Sequence, residues 1–322
     1  MTTSILFTRR RGYFQRDPDL VKLQRFYAEN GFFVLEGAYS AAEVAKLNAE
    51  AVSICRGERG PLGGAAQIDA HAGDDEVLRR YLCIHFPHKQ SAVMRDALFH
   101  PPLLRALTAA VGPNLKCMQS MLFIKPSGQP GQAWHQDEDY IPTRDRSLVG
   151  AWIALDRATV ENGCLWVIPG SHRSGILWDQ HWHGDRQFDC AEESRGFPFT
   201  GADAVAVEVE AGSIVCFNGY TLHRSLPNRA AAGTYRRALV NHYMSCESFL
   251  PWRRPETNVP MAKVDCRDVV VVAGTDPYAH RGYTDETKTF LRADGKSGCV
   301  DWTTSMPKRY ADEVVNDASV VV

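Results

Sequence analysis

An imidazole and a carboxylate two positions apart, His135 and Asp137, sit in the run Trp134-His135-Gln136-Asp137-Glu138-Asp139. On an extended strand alternate side chains face the same way, so this spacing puts both groups on one face. A third group, His223, follows the apolar run Ser213-Ile214-Val215-Cys216-Phe217 and an Asn218-Gly219 turn. Two histidines and one carboxylate on one face of an iron leave the opposite positions open, the facial triad of non-haem Fe(II) oxygenases. A second His-x-Asp, His183-Gly184-Asp185, lies in a stretch without apolar alternation, and reads as a loop lacking the rigid strand that metal geometry needs. His242 and His280 could ligate only by displacing His223.

The elements that must hold such a set are legible as texture. Short apolar or alternating runs at 115–124, 149–155, 164–168, 204–209, 213–217 and 238–244 are divided by turn formers such as Pro126-Ser127-Gly128, Asn162-Gly163 and Ala211-Gly212. Strands at such intervals with no helical pattern between them predict a sandwich, barrel or jelly roll. Ahead of them, Asp17-Pro18 predicts the start of a helix ending at Asn30-Gly31, followed by a strand over 31–35. Ser40-Ala41-Ala42-Glu43 has capping-box spacing and opens an amphipathic helix over 41–55. Residues 57–75 read as a mobile loop, and 91–98 and 102–110 as two helices around His100-Pro101-Pro102. The aromatic-rich stretch 174–204 is too long for a simple connection and suggests a lid or a surface insertion. The expectation is one domain over 1–322: a flexible arm to 16, a helical preface over 17–114, a β core over 115–250 and a C-terminal extension over 251–322 that adds a strand or loop near Val269–Val272.

Thirty-six basic against 38 acidic residues give a formal charge of −2, which gives no bulk attraction to nucleic acid or an anionic membrane. A small-molecule substrate is the better expectation. Nine cysteines, an odd number with no Cys-x-x-Cys, suit a reducing cytosol rather than a disulfide framework. No apolar run approaches the ~20 residues of a membrane span. The Ser/Thr- and Arg-bearing start leaves a mitochondrial presequence as the less favoured alternative.

The surroundings of the triad resemble the phytanoyl-CoA dioxygenase family of Fe(II)- and 2-oxoglutarate-dependent oxygenases. The matching pieces, in order, are Gln119-Ser120-Met121-Leu122-Phe123-Ile124-Lys125-Pro126, Trp134-His135-Gln136-Asp137, Val149-Gly150-Ala151-Trp152-Ile153-Ala154-Leu155-Asp156, Glu161-Asn162-Gly163-Cys164-Leu165, Pro169-Gly170-Ser171-His172, His223-Arg224-Ser225 and Arg236-Arg237-Ala238-Leu239. The resemblance covers about residues 20 to 250 and implies a mainly β double-stranded β-helix (jelly-roll, cupin-like) core with flanking helices. It implies Fe(II) on His135, Asp137 and His223, and 2-oxoglutarate anchored by Arg236 with Ser225, with Met121 and Trp152 as pocket walls. The interval from His223 to Arg236 is slightly longer than the family's commoner spacing, so Arg237 stays open as the anchor. Neighbours on a strand face opposite ways, so only one of the two points inward. Gln136, Glu138, Asp139 and Trp182 are candidates for substrate contact. The implied reaction uses O2 and turns 2-oxoglutarate into succinate and CO2 while hydroxylating a small molecule. A cupin-like binding protein or a non-oxidative metalloenzyme would have no need of the arginine anchor.

Overall fold

The computed structural model describes residues 11–62, 69, 71–189, 192–248, 268–285 and 287–293. In chain order the strands are β1 (Tyr13–Gln15), β2 (Phe32–Glu36), β3 (Tyr81–His85), β4 (Leu115–Pro126), β5 (Gln132–His135), β6 (Val149–Ala154), β7 (Leu165–Val167), β8 (Gln180–Trp182), β9 (Glu192–Ser194), β10 (Val205–Val207), β11 (Ile214–Asn218), β12 (His223–Ser225), β13 (Tyr235–Ser245), β14 (Val270–Ala273) and β15 (Phe290–Ala293). The helices are α1 (Leu20–Asn30), α2 (Ala41–Cys55), α3 (Asp74–Leu78), α4 (Ala92–Asp96), α5 (Pro101–Ala110) and α6 (Asp137–Tyr140). All six strand-like runs between 115 and 244 form strands.

Two sheets enclose the core. The larger follows the order β1-β2-β11-β6-β13-β4-β3-β15, with β14 also on β4, and the smaller runs β10-β7-β12-β5. Alternation along β4 sorts its residues. Leu122 and Ile124 turn outward into a cluster with Leu47, Ile54, Met94, Leu103 and Leu107 of the helices, while Gln119, Met121, Phe123 and Lys125 turn inward to line a cavity between the sheets. β13 repeats the division, since Leu239 packs under the helices and Arg236, Val240 and His242 face the cavity. These strands pair along their whole length, with one slip between His242 and Tyr243 that leaves Met118 of β4 as the extra residue. On the inner side Trp152, Phe217 and Val240 of the large sheet pack with Leu165, Val167 and Val207 of the small one. This is the expected jelly roll.

The structure departs from the expectations at several points. The α1 cap is Asp19, whose Oδ1 accepts from Val21 N and Lys22 N at 3.1 Å each, so the helix begins two residues beyond Asp17-Pro18. A proline fits before a cap as well as at the first turn, and the carboxylate that reaches the exposed N–H groups decides between the two. The expected free arm contains β1, which pairs in parallel with β2 from Tyr13↔Val34 to Gln15↔Glu36; residues 1–10 lie outside the described residues. The expected loop over 57–75 runs into α3, and β3, buried along nearly its whole length and without apolar–polar alternation, is an addition to the expected strands. The capping box of α2 is present, with Glu43 Oε2 accepting from Ser40 N at 2.7 Å. The stretch 174–204 contains the hairpin β8–β9, and its Trp178, Phe197 and Phe199 pack on Trp134, Ile168 and Leu222. That packing is what a surface insertion requires. Of the extension, β14 and β15 extend the large sheet along β4 and β3, while 249–267 and 294–322 lie outside the described residues. Among the described helices none is long and apolar enough to cross a membrane.

Candidate metal and co-substrate site

His135 closes β5 and pairs across the small sheet with His223, the first residue of β12. Each imidazole has Nδ1 on a carbonyl, His135 on Ala133 O at 2.8 Å and His223 on Thr221 O at 2.9 Å. A carbonyl only accepts, so Nδ1 carries the proton and Nε2 keeps its lone pair. Both Nε2 atoms turn to the same oxygen, Asp137 Oδ1, at 3.6 and 3.5 Å. Potential ligand atoms of these three buried residues lie within 4.8 Å of one another, so the donor set fits one iron with nitrogen and carboxylate ligands. Burial alone would raise the Asp137 carboxyl, but the facing His223, His242 and His135 outweigh it and hold the group well below the usual carboxylate range.

Asp137 is not on the strand, contrary to expectation. β5 stops at His135 and Asp137 is the first residue of the one-turn helix α6. The same-face spacing survives because Gln136 is still extended, with φ −128° and ψ 125°.

The triad opens on a cavity of about 420 Å³, with Arg236, Ser225, Trp152 and Met121 also in its wall. Arg236 is 3% exposed, its guanidinium lies 5.5 Å from the Trp152 ring centroid, and no hydrogen bond reaches its buried Nε among the described residues. Burial lowers its pKa to about 10, leaving it a cation at neutral pH. Arg237 faces the other way and is engaged by Asp156, Nε to Oδ2 at 2.9 Å and Nη2 to Oδ1 at 2.7 Å. The two arginines therefore separate as strand alternation requires.

Sequence reasoning missed Lys125. Its Nζ donates to Ser225 Oγ at 3.0 Å and to Leu226 O at 2.9 Å, and burial first, then the nearby Arg236, push its pKa well below the ordinary value. The signal was its alternation with Met121 and Phe123 along β4. His85, Gln119, Tyr140, Asp189, Arg224, His242 and Thr287 also reach the cavity wall, and only the fold could bring them there.

The substrate candidates do not reach it. Gln136 is buried, but its amide donates to Ile176 O at 2.9 Å and Tyr220 O at 2.8 Å and accepts from Trp178 N at 2.9 Å, tying the 174–204 stretch to the small sheet. Glu138 is turned to Thr143, whose backbone N and Oγ1 both donate to it, and burial raises its pKa to about 7. Asp139 is exposed on α6, and Trp182 lies on the β8–β9 hairpin. Neither lines the cavity. His183, of the second His-x-Asp, receives Asp185 N on its Nδ1 at 3.2 Å, a contact local to its own loop.

Residues 27–238 match the family model described as phytanoyl-CoA dioxygenase (PhyH). The human peroxisomal phytanoyl-CoA dioxygenase is 29% identical over 243 residues, covering 70% of this chain and 68% of that protein. Phytanoyl-CoA dioxygenase 1 of Oryza sativa subsp. japonica is 27% identical over 261 residues, covering 69% and 88%. Among solved structures, the non-heme monooxygenase ThoJ in its apo form has a TM-score of 0.60 at 20% identity, covering 93% of this chain and 95% of its own. The epimerase SnoN in complex with Fe3+, alpha ketoglutarate and nogalamycin RO has a TM-score of 0.57 at 21% identity, covering 80% and 96%. At these identities the two structures show a shared fold. The sequence match over the jelly roll, with the His-Asp-His set lying inside it, makes the chain a member of the phytanoyl-CoA dioxygenase family of Fe(II)- and 2-oxoglutarate-dependent oxygenases.

Proposed function

We propose that this oxygenase hydroxylates an unactivated C–H bond of a small-molecule metabolite, with His135, Asp137 and His223 holding the iron and Arg236 anchoring the far carboxylate of 2-oxoglutarate. The observation that carries this reading is the convergence of two Nε2 atoms on Asp137 Oδ1 in a cavity whose wall also contains an arginine whose buried Nε has no hydrogen-bond partner among the described residues. A cupin-like binding protein or a non-oxidative metalloenzyme would bury that guanidinium at a desolvation cost with no return.

When bound, the iron and 2-oxoglutarate supply oxidative decarboxylation to succinate and CO2 and the oxidising power for C–H cleavage. The chain orients and shields. The carbonyls of Ala133 and Thr221 fix both imidazole tautomers. The planar fork of Arg236 matches a carboxylate, and Lys125 fixes the Ser225 hydroxyl beside it. Trp152, Phe217, Leu165 and Val240 exclude water around the metal face. Retention of Asp137 keeps a carboxylate in the ligand set, which favours hydroxylation over halide transfer. Solved structures of the same fold include an epimerase and a carbocyclase, so the fold does not choose the outcome. The family name is likewise no evidence for an acyl-CoA substrate.

The test is anaerobic addition of Fe(II) and then 2-oxoglutarate, followed through the weak visible charge-transfer band of the chelate. Wild-type protein should form it, and His135→Ala and His223→Ala should lose both the band and Fe(II) binding. Full turnover in His135→Ala would overturn the ligand set. A screen of metabolites for stimulated succinate release then identifies the substrate.

A further inference from the structure

Asp137 divides its oxygens. Oδ1 faces the Nε2 atoms of His135 and His223, whereas Oδ2 faces His242, whose Nε2 lies 3.0 Å away. We propose that His242 is a positioning residue for the metal carboxylate: its Nε2–H donates to Oδ2, confining Asp137 to the iron through Oδ1 alone. The proposal deepens the reading above and rests on it.

Three features of the chain support it. A carboxylate at the start of a one-turn helix lacks the pleat that orients the two histidines, so its rotation must be set from outside. Among the described residues the hydrogen bond from His242 is the one side-chain bond that reaches Asp137. Next, the slip between β13 and β4 falls between His242 and Tyr243. The extra residue, Met118, belongs to β4, so β13 keeps its alternation up to that point and His242 shares the inward face of Arg236 and Val240. Last, β6 carries Gly150 directly opposite His242. A Cβ there would come 3.2 Å from Asp137 Oδ2 and 2.7 Å from the Phe217 ring, so a larger residue would crowd the atom that His242 holds.

The consequence follows from ligand counting. A carboxylate with both oxygens open can swing to bind through both, occupying a position that the co-substrate or O2 requires. One N–H on Oδ2 opposes that swing and keeps Oδ1 turned toward the imidazoles. His242 itself, on the oxygen away from the ligands, does not complete the set.

The experiment uses full-length His242→Phe and His242→Gln, each compared with wild type in thermal unfolding to establish that it folds. Fe(II) affinity is read by competition with a metal-binding dye, and the 2-oxoglutarate chelate by its anaerobic absorption band. Expected are 10–100-fold weaker Fe(II) binding and a displaced band maximum in His242→Phe, with His242→Gln, which keeps an N–H donor, recovering most of both. Wild-type affinity and an undisplaced band in His242→Phe would overturn the proposal, as would equal losses in both variants. Loss of Fe(II) as complete as in Asp137→Ala would overturn it differently, by making His242 a ligand. Should wild-type protein itself form no chelate band, the co-substrate reading fails, while the affinity comparison still decides the role of His242.

Discussion

At the scale of single residues, Arg236 and Arg237 show how one position decides function. They are chemically identical neighbours, yet one is buried in the cavity wall and the other is paired with Asp156. If Arg236 holds the far carboxylate of 2-oxoglutarate as proposed, removing it leaves that charge without its partner in a desolvated pocket, a loss of about 2–5 kcal/mol. The Michaelis constant for 2-oxoglutarate in Arg236→Ala should therefore rise roughly 30- to several-thousand-fold, with partial recovery in Arg236→Lys, because an ammonium cannot reproduce the fork. Iron binding without co-substrate should change little. Arg237→Ala should lower stability and leave that constant near wild type, and the reverse pattern in steady-state kinetics would exchange the two roles.

Among elements, the small sheet carries the most constraint, because β5 and β12 bring the two histidines into register and present Ser225 to Lys125 in the cavity wall. Gly131 precedes β5 at a point where a Cβ would lie 2.1 Å from Ser225 O and 2.8 Å from the Leu226 carbonyl carbon. Those are backbone atoms, so the strand itself must yield. Gly131→Ala should cost about 1–3 kcal/mol in urea unfolding and weaken Fe(II) and 2-oxoglutarate together, since both sites lean on that strand pair. Unchanged stability and unchanged affinities would show that the small sheet tolerates the spreading.

For the whole molecule, acid sensitivity should have an identifiable source away from the iron. His88 is 3% exposed, with Nδ1 2.5 Å from Ser120 Oγ, and burial, reinforced by Lys89 and Arg95, lowers its pKa to about 4. Above about pH 6.5 the ring is neutral in both folded and unfolded chains and the stability is fully present. As pH falls from about 6.5 toward 4 the unfolded chain takes up a proton that the folded one refuses, so stability is lost through that window. The loss from this group is about 2 kcal/mol by pH 5. His88→Gln should flatten the difference between urea midpoints at pH 7 and pH 5, and an undiminished difference would assign the acid sensitivity elsewhere.

Two-residue alternation broken by turn formers is a local property, so the sequence announced a β core of sandwich, barrel or jelly-roll type, and the family resemblance chose the jelly roll among them. The sequence also put His135 and Asp137 on one face through two extended residues, to which the family resemblance added His223, and the fold brings potential ligand atoms of the three within 4.8 Å of one another. The sequence left Arg236 and Arg237 as a pair of which one points inward, and strand register against Lys125 and Trp152 chose between them. Lys125 had only its alternation along β4 and His242 no local signature at all, because the groups they meet, Ser225 and Asp137, lie 100 and 105 positions away. Of the substrate-contact candidates, Gln136 is tied by its amide to the 174–204 stretch, and Asp139 and Trp182 lie outside the cavity lining. Tertiary structure decided which groups share the cavity, since that depends on how two sheets close over each other and not on any stretch of chain alone.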